Sequence, residues 1–424
     1  MLPLPKGWSG SHLGKVAKEM LGGGTPSTKN PGFWQGNIPW ITSKSLGESI
    51  YLVSGEKTIT EEAVQKSATH VVPAGNLIFA TRVGVGKVVV TKIDVAISQD
   101  STGIIVDTSE MDPLFLAFQL RSAPVQEYVQ QNKRGATIQG VTRTSLQQVG
   151  IVIPPLPEQR AIAHILSTVQ RAIEQQARII EVTTELKRAL MRKLFTEGLH
   201  SEPQKETEIG RVPQSWEVIA LGSLAKIGNG STPKRDYKAY WEDGTYPWLT
   251  SGKIHEGVIT QANEFVTQAA LSECHLPRVK TNSLLIAITG QGKTLGNSAL
   301  VTFETCVSQH LAYVQFTDKR VVPRFMLWFL QSRYKHLRSI SQAGGSTKGA
   351  LTCGYLKTYP VPLPSEPEQI EIADIFQTLT NKIKTHQRKQ DALNNLFRTL
   401  LHQLMTGQVR VNEIDLDELK VVSN

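Results

Sequence analysis

The segment Ala287-Ile-Thr-Gly-Gln-Gly-Lys-Thr294 carries a lysine and a threonine behind two glycines. In a nucleotide-binding loop, those residue types let backbone amides cradle phosphate, a lysine neutralise it and a hydroxyl hold magnesium. Here Ala287 stands where such a loop has its first glycine. A second stretch, Arg82-Val-Gly-Val-Gly-Lys-Val88, repeats the glycine spacing and the lysine but has Val88 in the threonine's place. Keeping the cation while losing the metal ligand is poor NTPase chemistry. A strand–loop–strand hairpin with a basic, glycine-rich tip fits both stretches, and glycine lets such a tip come close to a phosphate backbone. Other catalytic signatures are missing from the sequence. It has no Asn/Asp-Pro-Pro-Tyr/Phe tetrapeptide of amino-methyltransferases, no Gly-x-Gly-x-x-Gly loop after a strand and no nuclease-type cluster of carboxylates and lysine. Cys274, Cys306 and Cys353 form no Cys-x-x-Cys pair, so neither a zinc site nor a disulfide framework is expected, and the usage fits a reducing cytoplasm. The expectation is a chain with no catalytic residue and no metal site.

The two loops belong to a longer repeat. Pro5-Lys-Gly-Trp8 matches Pro213-Gln-Ser-Trp216, and Leu13-Gly14 matches Leu221-Gly222. Gly24-Thr-Pro-Ser27 matches Ser231-Thr-Pro-Lys234, and Phe33-Trp34 matches Tyr240-Trp241. Ile38-Pro-Trp-Ile-Thr-Ser43 matches Tyr246-Pro-Trp-Leu-Thr-Ser251, and Ile97-Ser-Gln99 matches Val307-Ser-Gln309. Pro154-Pro-Leu-Pro-Glu-Gln159 matches Pro364-Ser-Glu-Pro-Glu-Gln369. The order is kept and the separation stays at about 206–210 residues, so the chain is a tandem duplication with too few copies for a solenoid. The paired tryptophans read as core. Ser98-Gln99 and Ser308-Gln309-His310, which recur between the copies, read as holding the fold.

Each copy begins with short apolar runs such as Leu77-Ile-Phe-Ala80, Lys87-Val-Val-Val90 and Gly150-Ile-Val-Ile153, broken by glycine and proline. That pattern is strands and turns. Residues 112–131 and 322–339 read as helices with proline in the first turn. Each copy ends in a long helix that opens on the Pro…Glu-Gln stop. Ile162, Ile165, Val169 and Ile173 continue the spacing in one copy, and Ile372, Phe376, Leu379 and Ile383 in the other. Gly198 and Gly407 end them. Gln176, Thr183 and His386 interrupt the stripe. An exposed apolar stripe needs a partner, and the other copy's helix supplies one. The expected fold is α+β: two tandem mixed α/β domains, each followed by a long helix, with the two helices forming an antiparallel coiled coil. The expected boundaries are 1–155 for the first domain, 156–198 for its helix, 199–364 for the linker and second domain, 365–407 for the second helix, and 408–424 for a tail returning near the first domain. Two such domains suit half-sites roughly 34 Å apart on a duplex.

The 424 residues carry a formal net charge of +9, with a pI of about 9.3. That balance favours a polyanionic partner. No apolar run reaches the roughly 18–20 residues of a membrane span. Met1–Trp8 lacks a basic segment followed by an apolar one, so no secretory signal is expected and a cytoplasmic location is. Three loops recur with side chains suited to DNA. The first carries Lys44 and Ser45, against Lys253. The second is the glycine-rich hairpin, with Arg82 and Lys87 against Gln291, Lys293 and Thr294. The third carries Arg134, Thr137, Gln139, Thr142 and Arg143, against Ser346, Thr347 and Lys348. Lysine and arginine neutralise phosphates, while arginine, glutamine and threonine can meet base edges in the major groove. Further basic residues, among them Lys187, Arg188, Lys384 and Arg398, lie on the long helices as a solvated face or a docking surface.

The duplicated layout, the Thr-Pro turn, the Pro-Trp-(Ile/Leu)-Thr-Ser stretch and the Pro…Glu-Gln start of a long helix together resemble type I restriction–modification specificity subunits. The resemblance spans essentially the whole chain, and it is specific because loose motifs recur twice in order. It implies two target-recognition domains that each read half of a bipartite, asymmetric double-stranded DNA site. It also implies two methyltransferase subunits docked on the helices, together with restriction subunits. S-adenosylmethionine, ATP and magnesium would then belong to those partners and no cofactor to this chain. Two other classes compete: a DNA-binding scaffold or orphan subunit without catalytic partners, and a P-loop-type NTPase or nuclease using Gly290–Thr294.

Overall fold

The computed structural model describes residues 4–135, 139–290, 292–343 and 351–411. Two compact units emerge, one made of Met1–Ile180 with Thr385–Asn424 and the other of Glu181–Lys384.

The duplication is expressed strand for strand. Among the described residues of the first unit, a five-stranded sheet has the order Ala17–Gly22, Ser101–Val106, Leu77–Ala80, Val88–Thr91, Tyr51–Leu52. In the second unit the order is Ala225–Asn229, Leu311–Phe316, Leu284–Ala287, Ser298–Val301, Val258–Ile259. The central strands are buried along their whole length because both faces are covered. Side chains alternate between those faces. Leu77 and Phe79 pack with Phe115, Leu116 and Phe118 of the helix Pro113–Arg121. Ile78 and Ala80 face Ile41 and Ile97, which belong to a smaller sheet carrying Ile38–Ile41 and Val95–Ile97. In the second unit Leu284 and Ile286 pack with Phe325 and Met326, while Leu285 and Ala287 face Leu249 and Val307.

The helix expected over residues 112–131 is two helices, Pro113–Arg121 and Ala123–Gln131. Ser122 between them is extended (φ −68°, ψ 153°), and its hydroxyl donates to the Gln119 carbonyl at 2.6 Å. Pro124 sits in the first turn of the second helix, where its missing N–H costs nothing. The other copy breaks at Arg333, between Pro323–Ser332 and Tyr334–Ala343.

The long helices are Leu156–Glu197 and Glu366–Thr406. Within each unit the segments of the two helices run antiparallel. In the first unit Ile162, Ile165 and Leu166 share a core with Leu404 and Met405, and the Gln176 side-chain oxygen lies 2.6 Å from Nδ1 of His386. Two of the expected interruptions of the apolar stripe therefore meet each other. In the second unit Phe195 stacks on Phe376 at 5.7 Å, and Lys187 Nζ donates to Thr380 at 2.7 Å. Gly198 and Gly407 end the helices at φ 66° and 67°.

The repeated motifs fasten each long helix to its own unit. Trp8 Nε1 donates to Glu158 at 3.0 Å, and Trp216 Nε1 to Glu368 at 2.9 Å. The second oxygen of each carboxylate is also used, by Arg410 at 2.7 Å in one unit and by the Leu199 amide at 3.1 Å in the other. Arg410 also reaches the Lys6 carbonyl, which ties the described start of the tail to the first unit. Trp8, Trp40, Trp216 and Trp248 are all buried, as expected.

Candidate nucleic-acid interface

One chain of backbone hydrogen bonds gathers the three candidate loops in the first unit, and the equivalent bonds among the described residues of the second unit join its first two loops to Leu351. In the first unit the Ser98 amide donates to the Ile41 carbonyl (3.0 Å), Thr81 to Asp100 (2.7 Å) and Val141 to Thr81 (2.8 Å). In the second the Ser308 amide donates to Leu249 (2.9 Å), Ile288 to His310 (3.0 Å) and Leu351 to Ile288 (2.7 Å). These bonds tie the turn after the Pro-Trp strand, the glycine-rich hairpin and the segment preceding the last strand to one end of the central sheet. The shared Gln99 and Gln309 hold the Thr-Pro turn by hydrogen bonding to Thr25 and Thr232. Both bonds lie within their own unit, where the sequence reading expected residues that hold the fold. Gly23 and Gly230 are required beside them. A Cβ at Gly23 would lie 1.9 Å from the Ser98 carbonyl oxygen, and one at Gly230 would lie 1.6 Å from that of Val307.

The glycine-rich segments are hairpins. Leu77–Ala80 pairs antiparallel with Val88–Thr91, and Leu284–Ala287 with Ser298–Val301. Their amides close the turns: Gly86 donates to Ala80 at 3.1 Å, and Gly296 to Ala287 at 2.9 Å. A return strand follows the second loop, where a phosphate-binding loop would lead into a helix. Tyr334 and Arg338 each donate at 2.7 Å to the carbonyls of Lys293 and Gly292, fixing that loop from outside.

The candidate side chains fall into distinct groups. Lys44, Arg82, Lys87, Arg134, Gln139, Arg143 and Lys293 are exposed. Gly84 and Gly86 bend the hairpin tip at φ 67° and 95°. Arg134 and Gly140 exchange backbone hydrogen bonds of 2.8 and 2.9 Å, closing a small loop against Thr81. Arg143 lies across Gly22, where a Cβ would come within 2.0 Å of the guanidinium. Other candidates are committed within the fold. The Ser45 and Thr42 hydroxyls both donate to Glu56, the latter at 2.8 Å. Burial pushes the Glu56 carboxyl up, but the hydrogen bonds from Ser45 and Thr42 and the charge of Lys44 outweigh it and hold it below its ordinary value. Lys253 is ion-paired with Glu256 at 2.7 Å. The Thr142 hydroxyl caps the helix Arg143–Gln147 by accepting from the Ser145 amide at 3.0 Å. Thr294 is half-buried. Thr137, Gln291, Ser346, Thr347 and Lys348 lie outside the described residues.

Sequence reading did not single out Asp100 and took His310 with its neighbours as holding the fold. Asp100 and His310 follow the shared Ser-Gln at the same step of the hydrogen-bond chain, and Nδ1 of His310 sits 2.5 Å from the Thr289 hydroxyl. The signal was available: directly after the shared Ser-Gln the residue changes from Asp100 to His310. Among the described residues no group of histidine, cysteine and carboxylate side chains could hold a metal, and no helix is long and apolar enough to cross a membrane.

The chain matches the model of the type I restriction modification DNA specificity domain twice, over residues 5–184 and 213–395. It belongs to that family. The type I restriction enzyme MjaIX specificity subunit of Methanocaldococcus jannaschii is 26% identical over 421 residues, covering 97% of this chain and 95% of that protein. The EcoR124I/EcoR124II specificity subunit of Escherichia coli is 26% identical over 58% of this chain and 59% of its own length. The crystal structure of a type I restriction-modification S subunit from M. genitalium aligns with a TM-score of 0.63 at 18% identity, over 95% of this chain and 98% of that one. The likeness of fold thus runs through both specificity domains and both long helices.

Proposed function

We propose that this chain is the DNA-specificity subunit of a type I restriction–modification complex, and that the loop cluster of each unit reads one half of a split, asymmetric double-stranded site. One observation carries this reading. The same hydrogen-bond chain recurs in both copies, joining the turn after the Pro-Trp strand and the glycine-rich hairpin to Val141 in one and Leu351 in the other, while the side chains on the loops differ. A fixed scaffold with divergent tips is what two different half-sites require. Arg82, Lys87, Arg134, Arg143 and Lys293 supply exposed cations or donors for phosphate and guanine, and Gln139 can pair with adenine. We assign Asp100 and His310 to base discrimination as well, since an acceptor and an imidazole favour different base edges. Ser45, Lys253 and Thr142 support the loops instead. The chain is read as non-catalytic and cytoplasmic. Methyltransferase subunits with S-adenosylmethionine, and restriction subunits with ATP and magnesium, would carry the chemistry.

The test is co-expression with a type I methyltransferase subunit, followed by mapping of methylated adenines. Site-specific methylation is expected, and exchanging residues 1–155 for those of a relative should change one half of the site only. Random methylation, or a change in both halves, would overturn the reading. In the parent complex Arg82→Ala with Lys87→Ala should weaken binding to all sequences and lower the salt slope by roughly 1–2.

A further inference from the structure

The second unit contains a cleft of about 950 Å³ whose lining includes Lys187, Arg188, Trp328, Gln331 and Lys384. That size lies within the roughly 300–1,000 Å³ of small-molecule sites. The duplication provides an internal control for it. Lys187 lies over the Trp328 ring at 4.3 Å, whereas in the first unit Phe397 packs edge-on against Phe118 at 5.9 Å. The two contacts occupy corresponding positions, so one copy has an aromatic lock where the other has an ammonium. Two further exchanges open the second cleft. Arg121 is largely buried in the first unit and donates to the carbonyls of Val88, Glu48 and Ser49; its counterpart Gln331 makes a single bond of 3.2 Å to the Ser298 carbonyl. Glu174 of the first unit is replaced by Lys384.

The result is positive charge without a counter-ion. Glu256 and Arg324, which also line the cleft, are already paired with Lys253 (2.7 Å) and Asp374 (2.9 Å). Among the described residues no carboxylate forms an ion pair with Lys187; its polar contact is the Thr380 hydroxyl, and its charged neighbour is Lys384. The buried indole N–H of Trp328 also has no acceptor among the described residues. An unpaired, half-buried ammonium costs stability, and the first copy does without it.

We propose that this cleft binds a small anionic molecule, a carboxylate or phosphate on an apolar body, with Lys187 as its anchoring cation and Arg188 and Lys384 beside it. A duplex backbone is met by protruding side chains, whereas Lys187 is recessed between a helix and an indole and admits a single small anion. Ile254, Leu300, Pro323 and Ile383 supply the apolar wall.

The probe is pyridoxal 5′-phosphate on the full chain. Its aldehyde condenses with an uncharged lysine with loss of water, and borohydride then reduces the imine to a stable amine that peptide mapping can count. The adduct should form on Lys187 on the order of tenfold faster than on exposed Lys335 and Lys389. Inorganic phosphate or benzoate should protect Lys187, and uncharged benzamide should not. Protection by phosphate, benzoate or both identifies the anion accepted. Lys384→Glu, which restores the first copy's charge, should abolish protection. Lys187→Met, checked for an unchanged circular dichroism spectrum, should lose the adduct at that peptide alone. Labelling of Lys187 no faster than of the exposed lysines, no protection by either anion, or equal protection by benzamide would each overturn the proposal.

Discussion

Gln159 and Gln369 account for the recurrence of the Glu-Gln motif. Each amide is fully buried and spends its oxygen and nitrogen on backbone. Gln369 accepts from the Val322 amide (2.8 Å) and donates to the carbonyls of Arg320 and Pro364 (both 2.9 Å). Gln159 does the same with Asp112, Glu110 and Pro154. Removing either side chain strands three backbone groups, one in a buried and two in part-buried hydrogen bonds. Gln369→Ala should therefore lose about 2–4 kcal/mol in urea unfolding, and a loss below about 1 kcal/mol would contradict the account. The motif is legible in the sequence as a pattern. Its cause is not, because one partner lies 47 residues upstream. Lys187 makes a second prediction at this scale. Burial, and then the nearby charge of Lys384, push it down to about 8 from the ordinary 10.5. Between about 8 and 10.5 the unfolded chain holds a proton that the folded chain has released, so this group's contribution to stability rises with pH through that window. Lys187→Met should melt above the parent at neutral pH, and the gap should narrow as pH climbs from about 8 towards 10.5. A gap that stays constant would rule out the lysine's charge as its source.

At the level of elements, the hairpins, the long helices and their antiparallel pairing were all readable, since each depends on periodicity or on proline and glycine punctuation. The break at Ser122 was not, because Pro124 is compatible with the first turn of a helix and so gives no warning of a new one. The candidate site was half readable. Basic residues on glycine-rich tips announce themselves. The commitment of Ser45 to Glu56, of Lys253 to Glu256 and of Thr142 to a helix cap depends on how the turns close, which residue type alone does not reveal. The Thr-Pro turn gives this scale its test. Gly230→Ala forces a Cβ into the Val307 carbonyl and should lower stability by about 3 kcal/mol. Gly47, with nothing within 4 Å of a Cβ, is the control and should tolerate alanine.

Across the whole molecule, the duplication is plain in the sequence, but the division into units cuts through both long helices between Ile180 and Glu181 and between Lys384 and Thr385. The first unit takes Leu404 and Met405 into its core and Arg410 onto Glu158. A chain ending at Lys384 keeps the whole second unit and loses these contacts. Calorimetry of that truncation should show the first unit's transition falling while the second unit's stays in place. Equal shifts in both would contradict the division.

The shared core of Ile162, Ile165, Leu166, Leu404 and Met405 also sets a timetable. The first unit is the first to leave the ribosome and the last to be finished. About 200 residues must be translated between its two halves, and at synthesis rates of about 5–20 residues per second that is a wait of roughly 10–40 s. Throughout it, the apolar stripe of the first helix is uncovered while the second unit is still being made. The nascent chain is thus open to chaperones, or to a competing copy of its own sister helix, for far longer than its folded size suggests.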